Sequence, residues 1–357
     1  MQPVAVRILH PSPDAPGPLA RALHDAQAHN ARRLAAAFEA GGAQEVVIAT
    51  ERRRNGSLGA LLREIATSSA IGAGGRGLVV LGAGSVPLAT ATDLHRFLEV
   101  AASGERRALA NNRYSADIIA IGRPEALAEL PDLRADNAIP RWLHEVAGFD
   151  VDDLRSLWRL AIDLDSPLDV VLTGEPLDAS IDTGVVRRQI DRVREVSRDR
   201  RAELVVAGRT SAATLRWLER STSSRTRALI EERGLRASAP FAEAPRDRPT
   251  PPRPPISVLG LALDDLGPEA LGSIVARLGD AALLDSRVLL AHRLGADERE
   301  WPAAEDRFAS DLLLPDQVGD PWLRSLTKSA RDAAIPVLLG GHTLVGPGVR
   351  LALGRRR

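Results

Sequence analysis

The chain has 357 residues, enough for about two domains, and its 44% hydrophobic and 26% charged content is that of a globular protein. Its 47 basic and 47 acidic residues give a formal net charge of zero, which argues against nucleic acid as a partner. Cysteine is absent, which excludes disulfides, thiolate metal sites and cysteine nucleophiles. The N-terminus shows no signal-peptide pattern, and the apolar runs are far shorter than a membrane span. The sequence therefore predicts a cytoplasmic protein with no membrane partner.

The first half of the chain alternates strand and helix patterns. Apolar or β-branched runs predict strands at VAVRIL, EVVIAT, GLVVLGAG and ADIIAIG. Segments with helical periodicity lie between them, and the helix TATDLHRFLEVAAS begins with threonines suited to cap it. Such alternation predicts an α/β fold: a three-layer sandwich with a mainly parallel sheet over residues 1–180.

Three further regions follow in the chain. A charged helix, GVVRRQIDRVREVSRDRR, and the strand–helix pair ELVVAGRTSAATLRWLERST predict an extension of the first domain over residues 181–242. The proline- and arginine-rich stretch EAPRDRPTPPRPP predicts a linker over residues 243–255. For residues 256–357, the sequence predicts a smaller C-terminal α/β segment of unknown role.

The stretch WRLAIDLDSPLD has two interpretations. In the first, Ser166 caps a helix, Pro167 takes its first position, and Asp169 complements the helix dipole. In the second, Asp163 and Asp165 lie on one side of a strand end, where ligands of open α/β sheets gather. Carboxylates in that position hold Mg²⁺ that bridges phosphate oxygens, so this interpretation predicts a metal site.

The stretch LANNRYSADIIAIG concentrates polar side chains before a buried strand. Asn111, Asn112, Arg113 and Tyr114, the chain's single tyrosine, are predicted to contact a base, sugar or phosphate from one loop. The alternative is a polar turn with asparagine in a left-handed conformation.

Phosphate recognition in this chain must rely on arginine, backbone N–H groups or a metal, because Lys328 is the only lysine. The stretch LVVAGRTSAATLRWLE places Arg209 beside a helix start that Thr210 or Ser211 caps, an arrangement that suits an anion. Helix capping alone explains the serine and threonine equally well.

The segment DLDSPLD resembles the D-[IV]-D-T-P-x-D segment of small nucleotidyltransferases of the GT-A-like fold. These include the molybdenum-cofactor and 2-phospholactate guanylyltransferases. The stretches AFEAGGAQEVVIAT and GLVVLGAGSVPLATATDLHRFL also resemble their counterparts in order, so the resemblance covers roughly residues 1–175. It implies a nucleotide or phosphorylated small molecule as ligand, nucleotidyl transfer as activity, and Mg²⁺ held by Asp163 and Asp165.

Two departures from the sequence pattern of that family support an alternative to an enzymatic function. The loop HPSPDAPGPLARAL is proline-rich with one glycine and no lysine, so it lacks the N–H groups of a triphosphate loop, and Arg21 is the predicted partial replacement. In GAGSVP, Gly84 and Ser85 occupy the position of a metal-binding aspartate. The alternative is a non-catalytic binding or assembly protein that has kept the fold, and the sequence leaves its oligomeric state open.

A third hypothesis places the chemistry in the C-terminal segment. It requires Asp285, Asp306 and His342 to converge on one pocket in the folded chain. The segment contains neither the H-E-x-x-H metal motif nor a G-x-S-x-G nucleophile elbow.

Overall fold

The computed structural model describes residues 2–13, 16–50, 58–67, 75–131, 138–231 and 254–354. Among these residues, no helix has the length and apolar character needed to cross a bilayer. The described chain divides into two compact units. The first contains residues 2–13 and 24–164, and the second contains residues 16–23, 165–231 and 254–354.

The first unit is built on a mixed six-stranded sheet. Its strands are β1 (Val4–Leu9), β2 (Glu45–Ala49), β3 (Gly77–Gly82), β4 (Arg107–Ala110), β5 (Ile118–Ile121) and β6 (Asp150–Asp153). Their order across the sheet is β2-β1-β3-β5-β4-β6, and of these six strands β5 alone runs opposite to the others. The helices are α1 (Pro18–Ala40, which has residues in both units), α2 (Leu58–Thr67), α3 (Ala91–Ala101) and α4 (Ile139–Glu145).

Apolar side chains cover both faces of this sheet. In β1, Val4, Val6 and Ile8 belong to one buried cluster, whereas Ala5 belongs to the cluster on the opposite face. Phe38 of α1 and Phe97 of α3 join the first cluster, and Leu62 and Trp142, from α2 and α4, join the second. Alternate strand residues thus bury against helices on both sides, which makes three layers.

The second unit is built on a parallel four-stranded sheet. Its strands are β7 (Glu203–Gly208), β8 (Arg225–Ile230), β9 (Ala281–Asp285) and β10 (Val337–Gly340). Its longer helices are α6 (Gly184–Arg198), α7 (Ala212–Ser221), α8 (Val258–Leu266), α10 (Ser286–Leu294), α11 (Ala304–Asp311) and α12 (Pro321–Arg331). Shorter helices are α5 (Pro167–Thr173), α9 (Leu271–Ala276), α13 (His342–Val345) and α14 (Val349–Leu353).

The strand order of the second sheet, β10-β9-β7-β8, changes direction at β7. β8 lies on one side of β7, and the next described strand in the chain, β9, lies on the other side. Ligands in open parallel sheets bind at such a switch point, beyond the carboxyl ends of the strands. The fold thereby selects the carboxyl ends of β7 and β9 as the place to look for a site.

The α/β class and the layered arrangement predicted from the sequence are confirmed. The sequence predicts an extension of the first domain over residues 181–242 and a separate segment over residues 256–357. In the structure, β7 and β8 of the first region and β9 and β10 of the second form one sheet. Residues 243–253 of the predicted linker lie outside the described residues.

Gly208 is a point where the second sheet depends on glycine. Its φ is +125°, and an added Cβ would lie 2.2 Å from the Asp285 Cβ. We expect Gly208→Ala to lower the free energy of unfolding by at least about 1–3 kcal/mol, from backbone strain alone. Chemical denaturation measures this loss. Gly341→Ala is the matched control, because no heavy atom lies within 4 Å of its added Cβ; equal losses in both variants would contradict the packing argument.

Candidate functional site

A cavity of about 300 Å³ lies in the second unit, and we call it the arginine cavity. Its lining combines three arginines, three carboxylates, a histidine and smaller groups: Asp165, Ser166, Asp169, Arg209, Arg287, Glu298, Arg307, Phe308, Gly341, His342 and Thr343. Its volume is at the lower end of the range for small-molecule sites, and its lining is more charged than is usual for them.

Three residues of the cavity lining follow the carboxyl ends of three neighbouring parallel strands. Arg209 directly follows β7, Arg287 follows β9 by two residues, and His342 follows β10 by two residues. Because the strands are parallel and adjacent, their ends meet at one edge of the sheet.

Arg209 is held at the switch point by the buried carboxylate of Asp285. Its Nε and Nη2 donate to Asp285 Oδ2 and Oδ1 at 2.7 and 3.1 Å, and its backbone N–H donates at 3.3 Å. The same carboxylate caps α10 by accepting from the Arg287 N–H at 3.2 Å. Asp285 is fully buried at its side chain, so the ion pair links β7 and β9 in a fixed geometry.

Arg287 forms a second bidentate ion pair, with Asp311 at the end of α11. Its Nη1 and Nη2 donate to Asp311 Oδ1 and Oδ2 at 2.5 and 2.6 Å, and Nη1 also donates to Ser286 Oγ at 2.9 Å. Burial works to lower the pKa of Arg287, but the charge and hydrogen bonds of Asp311 prevail and hold that pKa above its ordinary value. The guanidinium is therefore a permanent positive charge in the cavity wall.

Arg307 is the third arginine of the cavity and the one without a buried carboxylate partner. Its Nη1 lies 3.3 Å from Oε2 of Glu298, whose side chain is 67% exposed. Its Nε is buried and donates to no described residue. Because its ion-pair partner is a largely exposed carboxylate, Arg307 is the cavity arginine whose charge is least compensated within the fold.

The acidic side of the arginine cavity consists of Asp165 and Asp169 at the start of α5. Ser166 caps this helix, with the Asp169 N–H 3.4 Å from its Oγ, and Pro167 takes the first position. Asp169 is buried, and its Oδ2 accepts from Ser166 Oγ at 2.8 Å and from the Asp165 N–H at 3.2 Å. Burial, together with the charge of Asp165, raises the pKa of Asp169 to about 8.

The predicted substrate residues in the first unit have internal partners. Asn111 is buried; its Nδ2 donates to Asp117 Oδ2 and to the Leu160 carbonyl, both at 2.8 Å. Its Oδ1 accepts from the Asp117 N–H at 2.9 Å. Asn112 Oδ1 accepts from the Tyr114 N–H at 3.0 Å, which is the hydrogen bond of a polar turn. The Asn111 side chain thus holds the loop, and its contact with a substrate stays a prediction.

Tyr114 carries guanidinium groups over its ring. Arg155 lies 4.9 Å and Arg141 6.0 Å from the ring centroid, while Arg113 is partly buried nearby in sequence.

Of the two predicted phosphate-binding arginines, Arg209 lines the arginine cavity, whereas Arg21 is exposed and donates to the Pro16 carbonyl at 2.6 Å. Arg209 is therefore the predicted phosphate-binding arginine that lies on the lining of a cavity.

Asp163 and Asp165 have different surroundings. Asp163 belongs to the first unit and pairs through its backbone with Ser85 in an isolated antiparallel bridge. Asp165 is exposed and lines the arginine cavity of the second unit. Among the residues that the structure describes, no group of three or more His, Asp or Glu side chains is arranged to hold a metal. The magnesium site at Asp163 and Asp165 therefore stays a prediction.

The C-terminal hypothesis requires three side chains to converge. His342 lines the arginine cavity, and Asp285 lies behind Arg209. Asp306 is directed elsewhere, since it accepts from the N–H groups of Gly319 and Asp320 at 2.8 Å.

The sequence signals for the cavity were polar residues directly after three buried runs: VVAGR, LLDSR and LLGGHT. What the sequence did not reveal is that these runs are neighbours in one sheet.

The sequence matches no model of a known protein family, and no curated protein matches it significantly. The resemblance of DLDSPLD and its neighbouring stretches to nucleotidyltransferases therefore remains an expectation.

The Arg287–Asp311 pair generates a stability prediction. Asp311→Asn leaves a buried guanidinium without a counter-charge, so we expect it to lower the free energy of unfolding by about 3–5 kcal/mol. Asp332→Asn is the control, because Asp332 forms an exposed ion pair with Lys328 and should cost about 1 kcal/mol or less. Urea denaturation of both variants makes the comparison. Similar losses would show that the buried pair has no special role.

The pKa of Asp169 generates a pH prediction. Because that pKa is raised from 3.8 to about 8, protonated Asp169 favours the folded state, and this contribution is lost as the pH rises from about 4 to about 8. Asp169→Asn removes the ionisation, so its stability relative to wild type should increase by more than about 1 kcal/mol between pH 5 and pH 8. Denaturation of both proteins across this range tests it; a constant difference would contradict the raised pKa.

Proposed function

We propose that the protein binds a small phosphorylated molecule, with nucleotides among the candidates, in the arginine cavity of its second unit. The observation that carries the proposal is the convergence of Arg209, Arg287 and Arg307 on one cavity at the switch point of a parallel sheet. Each arginine comes from a different element, so the fold assembles the cluster from distant parts of the sequence.

The chemistry of these arginines suits phosphate. Guanidinium groups bind phosphate oxygens through paired N–H donors, and arginines already held by carboxylates lose little freedom when a ligand arrives. Arg209 and Arg287 are held in this way, while Arg307, on the same lining, pairs only with the largely exposed Glu298 among the described residues. The first two therefore shape the cavity, and Arg307 supplies the charge that an incoming anion neutralises.

Nucleotidyl transfer is the reaction class that the sequence resemblance adds to this binding proposal. A non-catalytic role is the second candidate, favoured by the position that follows β1. There His10 is buried and stacks on His24, with ring centroids 3.9 Å apart, where the family would have its triphosphate loop. Release of pyrophosphate from any nucleoside triphosphate by the purified protein would exclude the non-catalytic role.

The binding proposal is tested by titration calorimetry with inorganic phosphate and with nucleotides, in the presence and absence of Mg²⁺. We expect phosphate to bind wild-type protein, and Arg307→Gln to weaken binding roughly 10- to 100-fold, because a charge-assisted hydrogen bond is lost. Arg201→Gln is the matched control, since the Arg201 side chain is 94% exposed and away from the cavity lining. Equal affinities for the two variants, or no binding by wild type, would reject the proposal.

A further inference from the structure

The arginine cavity has a second chemical feature, on its acidic side. Asp169 is only 4% exposed, and both hydrogen bonds to its carboxylate, from Ser166 and from the Asp165 N–H, reach Oδ2. Its Oδ1 accepts from no residue that the structure describes, although the side chain lines the cavity. A nearly buried carboxylate on the cavity lining thus keeps one oxygen available for a further hydrogen-bond donor.

The charges around Asp169 leave this side of the cavity negative. Asp165, from the same turn, also lines the cavity, and neither carboxylate forms an ion pair within the described part of the chain. The nearest arginine in electrostatic terms, Arg287, is engaged in its bidentate pair with Asp311, which is itself a further negative charge. Burial and, after it, the charge of Asp165 raise the pKa of Asp169 to about 8, and a proton on Asp169 relieves its repulsion with Asp165.

A ligand cation would relieve the same repulsion better than a proton. Two carboxylates suit an ammonium group, which offers several N–H donors and needs no fixed coordination geometry. A divalent metal is the weaker fit, because the described residues provide no third ligand and a hard cation with few carboxylates retains most of its water. Arg307, which also lines the cavity, suits an anion.

We infer that the ligand of the arginine cavity is a zwitterion, a phosphate ester with an ammonium group that binds to Asp165 and Asp169 while the phosphate binds to Arg307. This inference rests on the proposed phosphate-binding function and names its substrate class. A cavity of about 300 Å³ accommodates such a compact molecule, with its two charges separated by a short carbon chain.

The experiment compares phosphoethanolamine with ethyl phosphate, which has the same chain length without the ammonium group. With full-length wild-type protein near pH 7, we expect calorimetry to show phosphoethanolamine binding at least about tenfold more tightly. In Asp169→Asn the preference should fall to about one, while ethyl phosphate binds equally well or better. Equal affinities of wild type for the two compounds would overturn the inference and leave the phosphate site intact, whereas binding of neither compound would reject the proposed function as well.

A second measurement on wild type stands independently of the variant's folding. If the ammonium group displaces the proton of Asp169, phosphoethanolamine binding should release protons, and the binding enthalpy should differ between Tris and PIPES buffers at the same pH. Ethyl phosphate should bind without such release. No buffer dependence for phosphoethanolamine, or tight Mg²⁺ binding without ligand that Asp169→Asn abolishes, would overturn the ammonium assignment.

Discussion

The ion pair between Arg209 and Asp285 is the contact on which the candidate site depends. It joins the carboxyl ends of the two central strands of the second sheet, and its carboxylate is completely buried. Gly208 has to be glycine for Asp285 to approach, since any Cβ there would overlap the aspartate. The same carboxylate caps α10, which orients Arg287 toward Asp311. A single side chain therefore fixes two of the three arginines.

This linkage explains how a site of mixed charge is stable in a largely apolar unit. Each arginine held by a buried aspartate is neutralised before any ligand arrives, so the cost of burying its charge is met within the fold. The groups left without such compensation, Arg307 and Asp169, lie on the cavity lining. In this arrangement, charged groups without a buried partner line the cavity, while the charged groups behind them are paired. Such a distribution is typical of a binding site rather than of structural ion pairs alone.

Local features of the fold were predictable from the sequence because short-range chemistry sets them. The threonine cap of α3 was predicted from the residues alone, and the Ser166 cap was one of two interpretations of its segment. For α7 the sequence offered Thr210 or Ser211, and the structure has Ser211 as the cap. The pairing of β7 with β9 could not be predicted, because buried parallel strands share one apolar pattern. That pattern does not indicate which strand lies beside which. Asn111 shows a different limit: its amide was predicted to bind substrate, yet it is bonded to neighbouring chain atoms that the sequence does not place.

Asp169 illustrates the same limit at the candidate site. Alternation along DLDSPLD pointed to Asp163 and Asp165, and assigned Asp169 to the helix dipole. The structure confirms the first-turn position of Asp169. The helix α11, which packs on α5, and the charges of Arg287 and Asp311 that act on Asp169 come from more than a hundred residues further along the chain. Burial by distant elements is what turns a capping residue into a perturbed acid.

The order of strands along the chain also shapes how the protein emerges from the ribosome. The first sheet is complete once β6 has been synthesised, so that unit has all its strands at an early stage. β7 and β8 of the second sheet must wait for β9 before the other edge of β7 is paired. During that interval Leu204, Val205 and Val206, all fully buried in the finished fold, border an open strand edge. Nascent chains halted before β9 therefore keep an unpaired edge of β7, which can pair with another chain.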